Sequence, residues 1–224
     1  MQSNTLAAIV TGNTNAVSVF EKYGLDFCCK GKRTLEAACA EKNISSEEVV
    51  KEINERSGTS GTQLPFAEMT ASQLIEHIVR THHAYIRQTA PVIQTHLEKV
   101  ILKHGERFPY IVKVHKLFCE LTQELISHLY KEENILFERI TAYEHAGNLN
   151  MPTGFLRAPI NVMEQEHETA GQLMEQINRL TNNYTSPAGA CTTFKIVLNE
   201  LKAFELDLHK HIHLENNILF SQVG

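Results

Sequence analysis

Two stretches of this chain repeat one another. Residues 127–137 read SHLYKEENILF and residues 210–220 read KHIHLENNILF. They align without a gap, His128 over His211 and Glu132 over Glu215, 83 residues apart in both cases, and Ile135-Leu136-Phe137 falls over Ile218-Leu219-Phe220. A repeat of this kind marks a duplicated supersecondary unit whose copies pack together. If that unit is a pair of helices, the helix ahead of each stretch should carry a matching feature. His83 in RTHHAY and His167 in EQEHET, 84 residues apart, meet that requirement. The steps from His83 to His128 and from His167 to His211 are 45 and 44 residues, enough for a helix, a turn and a return path.

The rest of the chain agrees with a helical unit. Leu, Ile, Val, Phe and Met recur at intervals of three and four, with hardly any strict alternation, so the fold is expected to be all-α. The first long break is SGTSGTQLP at 57–65, where Gly, Ser, Thr and Pro displace the periodicity. It divides the chain into a small helical domain (1–57), a linker (58–65) and a larger domain (66–224). Thr70 followed by Gln73 is the signature of a capping box opening a helix that carries His77, His82 and His83. Pro91 falls inside that helix and predicts a kink or break there. Gly105 and Pro109 mark a turn, and a second helix is expected over 110–142. A loop from Gly147 to Pro159 leads to a third helix over about 160–182, and TNNYTSPAG leads to a fourth that runs to the end. Four long helices with short connections predict an antiparallel four-helix bundle.

Composition narrows the partners. The net charge is −5 and no block of Lys or Arg could follow a phosphate backbone, so nucleic acid is not an expected partner. No apolar run approaches the ~20 residues of a membrane span, and MQSNTLAAIVTGN lacks the basic start of a secretion signal, so a cytoplasmic protein is expected. Five cysteines, at 28, 29, 39, 119 and 191, do not make a disulfide framework.

Residues four apart share a helix face, so His128 projects with Glu132 and His211 with Glu215. Leu121, Leu125, His128, Glu132 and Ile135 read as one stripe, and Phe204, Leu208, His211, Glu215 and Ile218 as its counterpart. Both stripes should face the bundle interior. Any one of these polar residues alone reads as a satisfied core residue. Six of them, spaced alike in two halves, read as ligands: an imidazole and a carboxylate buried without a partner are costly unless they hold a metal. His83, His128, Glu132, His167, His211 and Glu215 would give two first-row metal ions four imidazoles and two carboxylates able to bridge. The repeat offset, 84 against 83 for the other pairs, favours His83 over its neighbour His82. His209 and His213 lie about 200° around the helix from His211 and should face away from the site. No counterpart in the other half accompanies His77, His96, His104, His115 or His145.

Two carboxylates sit close enough in sequence to act on the ligands indirectly. Glu124, one turn before His128, and Glu166, directly before His167, either orient a ligand or remain solvated. Cys28 and Cys29 stand beside Lys30, Lys32 and Arg33, which should favour thiolate and reactivity. Their uses are contact with a partner's metal, trapping of small oxidants, or packing. Cys39, Cys119 and Cys191 read as small buried hydrophobes.

At these residues the chain resembles the hemerythrin-like di-iron proteins, and in particular the family named for repair of iron centres. The run VFEKYGLDFCCKGKRTLEAAC is similar to the small cysteine-containing domain that precedes the bundle in that family, and VMEQEHETAG and ACTTFK look like further signatures. The resemblance implies two non-haem iron ions per chain, two histidines on each, carboxylate bridges from Glu132 and Glu215, and room for an oxo bridge. It implies a protein of the response to nitrosative and oxidative stress that repairs iron–sulfur clusters by giving iron to iron–sulfur proteins. The alternatives are a nitric oxide reductase, or a carrier or sensor of dioxygen or nitric oxide. A homodimer is compatible with any of them.

Overall fold

The computed structural model describes residues 5–56, 66–146 and 154–223. The residues read as a linker, 58–65, with Ser57 before them, and the first part of the predicted loop, 147–153, lie outside the described residues. Four short helices come first: α1 (Leu6–Gly12), α2 (Asn15–Tyr23), α3 (Leu35–Glu41) and α4 (Ser46–Arg56). Thr5 and Thr34 cap α1 and α3 by accepting from Ala8 N–H and Ala37 N–H. Gly24 ends α2 in a left-handed conformation (φ 62°), the standard way to close a helix with a glycine. Among the described residues the only β contact is the isolated bridge between Thr5 and Thr34.

The bundle begins at α5 (Ala71–Ile78), where the expected capping box forms in both directions: Gln73 N–H donates to Thr70 Oγ1 and Thr70 N–H to Gln73 Oε1. The helix runs on through a π-helical turn (Val79–His83) into α6 (Ala84–His104). After the turn at Gly105, α7 (Tyr110–Lys131) passes through a second π-turn (Glu132–Leu136) into α8 (Phe137–His145). Next come α9 (Arg157–Leu180) and α10 (Thr192–Leu214). A third π-turn (Glu215–Leu219) and α11 (Phe220–Val223) close the chain.

Two expectations need correction. Pro91 does not break its helix, because α6 continues through it; the irregularity lies a turn and more upstream, in the π-turn that ends at His83. The third helix starts at Arg157, ahead of the expected 160, because Pro159 falls in its first turn, where a missing N–H costs nothing.

Side-chain pairs fix the antiparallel order. Arg87 meets Glu133 and His115 meets Glu98 between α6 and the α7–α8 rod. His82 meets Asp207 and His96 meets Glu200 between the first rod and α10. Asn178 meets Glu205 and His167 meets Asn216 between α9 and the last rod. One apolar core includes Leu125, Leu129, Leu208 and Ile212 in the bundle and continues into α1–α4 through Val10, Val17, Phe20 and Phe27. The smaller second core, with Leu74, Ile78, Leu136, Phe137, Ile140, Met163 and Phe220, closes the other end. The polar residues of interest lie between the two.

The α1–α4 module is packed on α10. Glu21 pairs with His209 Nδ1 at 2.6 Å, and the Phe27 ring lies edge-on to His209 and His213. Asn217 Nδ2 donates to Cys28 O at 2.9 Å. His209 and His213 thus face away from the six candidate ligands, towards the module.

The end of the bundle is clipped by Glu144, whose carboxylate accepts from Ala71 N–H (2.8 Å), Ser72 N–H (3.2 Å) and the Ser72 hydroxyl. The hydroxyl contact, with the two amides, lowers its pKa below the ordinary 4.5. Its stabilisation is therefore complete above that ordinary value and is lost as pH falls through the lowered one. Glu144→Gln should cost about 1 kcal/mol at neutral pH, the worth of a helix cap. In denaturant titrations its deficit against wild type should shrink as acid protonates Glu144, and a deficit that is the same at every pH would contradict this.

Candidate metal centre

Three of the four rods present candidate ligands at π-turns. His83 closes the first, Glu132 opens the second and Glu215 opens the third. A π-turn inserts an extra residue into the i→i+4 ladder and redirects the side chains around it. Phe137 and Phe220, each five residues past a glutamate, show the result. At ~100° per residue, an α-helix would carry each ring ~140° away from its glutamate. The π-turn wraps those five residues into about one turn, and the N–H groups of Phe137 and Phe220 bond Glu132 O and Glu215 O. The Phe137 ring then stacks on His83 (5.8 Å, 16°) and the Phe220 ring on His167 (6.3 Å, 8°). Ile135, which α periodicity puts in the inward stripe, is turned out, although its counterpart Ile218 occupies the same place in an equivalent turn. Ile135 is 43% exposed, while Leu136 takes the inner position; Ile218, packed in the second core, stays buried.

All six candidate ligands are buried, with Glu132, Glu215, His83 and His211 at 0% exposure. They form two sets of four, His83–Glu132–His211–Glu215 and His128–Glu132–His167–Glu215, with the ligand atoms of each set within 4.8 Å of one another. Both carboxylates belong to both sets. Glu132 turns Oε1 to His128 Nε2 (3.2 Å) and Oε2 to His83 Nε2 (3.4 Å). Glu215 turns Oε1 to His211 Nε2 (3.0 Å) and Oε2 to His167 Nε2 (3.1 Å). Each imidazole pair takes one member from each half of the repeat, with Nε2 atoms 3.1 Å apart for His83 and His211 and 3.0 Å for His128 and His167.

The residues fit a bound cation. Two ligand atoms each ~2.1 Å from one ion at ~90–110° stand ~3.0–3.4 Å apart, which matches these spacings. Among the described residues the four buried carboxylate oxygens face only the Nε2 atoms of the four imidazoles, an arrangement that is costly unless a cation or protons neutralise them. The Nδ1 atoms of His83, His128 and His167 face Glu133, Glu166 and Asn216, so their Nε2 atoms are turned inwards. Nitrogen and oxygen donors without thiolate suit iron and its neighbours in the first row.

Electrostatics balance the metal-free chain with protons. Burial lowers His83, but Glu132 and Glu215 beside it outweigh burial and raise it to about 10. In the same way burial lowers His128, and Glu132 and Glu166 raise it to about 10. Burial lowers His211, the other member of the first pair. Burial and Glu215 push Glu132 up, and His128 and His83 override them to bring it down to about 2. Glu215, opposed by burial and helped by His211 and His167, is held well below the usual carboxylate range.

Outside the six, Glu166 accepts from His128 Nδ1 at 2.8 Å and is also paired with Lys131; the His128 contact lowers it to about 2. Glu124 is exposed and makes no contact with His128 among the described residues; it lies on the solvent edge of the stripe. The cysteine expectation also needs correction. Cys28 is buried and its pKa is raised well above normal, first by its contact with Cys29, then by burial and the Asp26 carboxylate. The basic neighbours are elsewhere: Lys32 reaches towards Glu164 and Arg33 pairs with Glu41. Cys29 Sγ lies 3.8 Å from His167 O. Cys39 is buried, and Cys119 and Cys191 are half-buried.

Sequence reading missed Glu133, Asn216, Arg87 and the two stacking phenylalanines. The repeat itself held the signal, because Glu133 and Asn216 each follow a candidate ligand glutamate and each bonds Nδ1 of the histidine on the preceding helix of its own half.

Fold and site together define a helical-bundle metalloprotein of the carboxylate–histidine kind. Comparison with known proteins agrees: residues 74–223 match the hemerythrin HHE cation binding domain, a domain type that holds non-haem iron, and residues 2–57 match a domain of unknown function, ScdA_N. A Haemophilus influenzae protein named "Probable iron-sulfur cluster repair protein" is 37% identical over 97% of this chain and 95% of its own length. The Escherichia coli O157:H7 iron-sulfur cluster repair protein YtfE is 37% identical over 92% and 89%. A Staphylococcus epidermidis protein, iron-sulfur cluster repair protein ScdA, is 28% identical over 100% and 99%. The chain belongs to this iron–sulfur cluster repair family of hemerythrin-type proteins.

Metal uptake should release protons. At pH 7 the metal-free His83 and His128, raised to about 10, hold protons that an incoming ion must displace. Calorimetry in buffers of different ionisation enthalpy should count about two protons per fully loaded chain, and affinity should climb from pH 7 towards 10. Proton-neutral uptake would contradict this charge balance.

Proposed function

We propose that this chain is a dinuclear iron protein that repairs iron–sulfur clusters damaged by nitrosative and oxidative stress by supplying them with iron. The observation that carries the reading is the sharing of both Glu132 and Glu215 between two complete His₂Glu₂ sets. Iron bound there would supply redox-active metal with positions open to small ligands, and would itself be the cargo. Four protein donors per position fall short of a closed octahedral shell, as suits a site that exchanges.

The chain's own groups would bind, orient and shield. The four Nε2 atoms and two carboxylates would hold the ions, with Glu132 and Glu215 as bridges. Glu133, Glu166 and Asn216 keep their rings in the tautomer that presents Nε2 inwards. Phe137 and Phe220 cover the outer faces of two rings, and the apolar cores above and below exclude bulk water. Protons held by His83 and His128 in the metal-free chain would offset the loss of positive charge when iron leaves.

Its partners would be iron–sulfur proteins acting as iron acceptors. No helix among the described residues is long and apolar enough to cross a membrane. The cysteines are free, and we assign the activity to the cytoplasm, where thiols stay reduced. The 1–57 and 66–224 segments would act as two units joined by 58–65.

Iron-loaded protein, mixed anaerobically with an enzyme whose [4Fe–4S] cluster has lost iron, should restore that enzyme's activity while losing its own iron. His128→Ala or His211→Ala should bind less iron and restore less. Iron that stays bound while the acceptor remains inactive would refute donation, and nitrous oxide formed from nitric oxide in the same experiment would point to reduction instead.

A further inference from the structure

The four candidate ligand imidazoles are not supported alike. His83 Nδ1 meets Glu133 Oε1 at 2.7 Å, and Arg87 clamps that carboxylate through Nη1 and Nη2, both at 2.9 Å. His128 Nδ1 meets Glu166 Oε2 at 2.8 Å, with Lys131 on the other oxygen. His167 Nδ1 meets Asn216 Oδ1 at 2.8 Å. His211 Nδ1, although fully buried, meets no hydrogen-bond partner among the described residues.

The repeat explains the missing partner. Glu166, which serves His128, is the residue before His167. In the other half the residue before His83 is His82, which stands beside His211 as Glu166 stands beside His128. Its ring lies parallel to that of His211 (5.7 Å, 8°), but its Nδ1 is turned to Asp207 at 3.0 Å. An imidazole has thus replaced the carboxylate, and it stacks on its neighbour instead of accepting a proton from it.

Partners of this outer kind fix ring orientation and raise ligand basicity, and their loss typically costs ~10- to 100-fold in metal affinity. At the His128–His167 position both imidazoles have one. At the His83–His211 position only His83 does. The shared carboxylates contribute to both positions, so they do not offset the difference. We propose that the two ion positions are unequal: the one between His83 and His211 holds its ion more weakly and gives it up first, while the one between His128 and His167 retains its ion. This rests on the two-ion reading above and makes Glu166 and Asn216 positioning residues for the retained ion. Such a chain would deliver one ion and keep one, and the kept ion would hold Glu132 and Glu215 ready for reloading.

The test is an anaerobic titration of the metal-free full chain with cobalt(II), followed by visible absorption, with bound metal counted independently. Two ions should enter in two steps whose dissociation constants differ by about 10- to 100-fold. Fewer than two ions per chain would remove the two-ion reading itself, whereas two ions of equal affinity would overturn only the inequality. His211→Ala should keep the tight step and lose the weak one, and His128→Ala should lose the tight step; the reverse pattern overturns the assignment. Because deleting a buried histidine can unfold its surroundings, Glu166→Gln serves as the conservative probe. With helical circular dichroism unchanged, it should loosen the tight step about tenfold and narrow the gap. A ratio left unchanged, or a loosened weak step, overturns the proposal.

Discussion

Two ionised carboxylates, Glu132 and Glu215, are buried completely in the middle of an apolar bundle. A single unpaired charge in such a place costs several kcal/mol, and two of like sign repel as well. Much of the surrounding structure can be read as an answer to that problem. Four imidazoles point Nε2 at the four oxygens, and outer groups set the imidazoles: Glu133 with Arg87, Glu166 with Lys131, and Asn216. Charge therefore alternates outward, carboxylate to imidazole to carboxylate to cation, until it reaches solvent at Arg87 and Lys131. The apolar cores on either side keep water from the layer between, so its charges must be met by protons or metal.

Much of this was legible in the residues. Periodicity sufficed for the helices, and a duplicated His-x3-Glu with one further histidine per half sufficed for the six converging side chains. What escaped were departures from α geometry. Counting 100° per residue left the roles of Phe137 and Phe220 unseen, because nothing in ENIL or NNIL announces a π-turn; Ile135 and Ile218, alike in sequence and turn, differ in exposure because they meet different neighbours. Glu124 and Glu166 looked equivalent from spacing alone, and only tertiary packing separates the exposed one from the one that bonds His128. Lys30, Lys32 and Arg33 surround the cysteine pair in sequence, yet the fold turns Asp26 towards Cys28 and sends Lys32 and Arg33 to other carboxylates.

The repeat has also diverged where its halves meet different neighbours. Asn134 and Asn217 are equivalent by the 83-residue offset. Asn134 Nδ2 donates back to Tyr130 O at 2.8 Å, satisfying a carbonyl beside the π-turn, whereas Asn217 Nδ2 reaches across to Cys28 O. A hydrogen bond local in one half anchors the N-terminal module in the other. Through that contact and the Cys29 Sγ approach to His167 O, the module touches the rod carrying Glu215 and the helix carrying His167.

The π-turns carry a consequence for how such a chain can change over time. Each is one residue longer than the α-helical turn it replaces, so deleting a single residue there would leave a hydrogen-bonded, soluble helix. Four α-helical residues turn ~400°, close to what five residues turn in the wider π-turn, so the remainder of the rod would keep nearly the same facing. Phe137 or Phe220 would stay on its histidine's side of the bundle, whereas the same deletion in a regular α-helical stretch would rotate everything beyond it by ~100°. The π-turns are therefore the places where these rods can lose a residue with the least disturbance to what lies beyond, and deletions elsewhere in a rod would misalign the site without unravelling its hydrogen-bonded backbone.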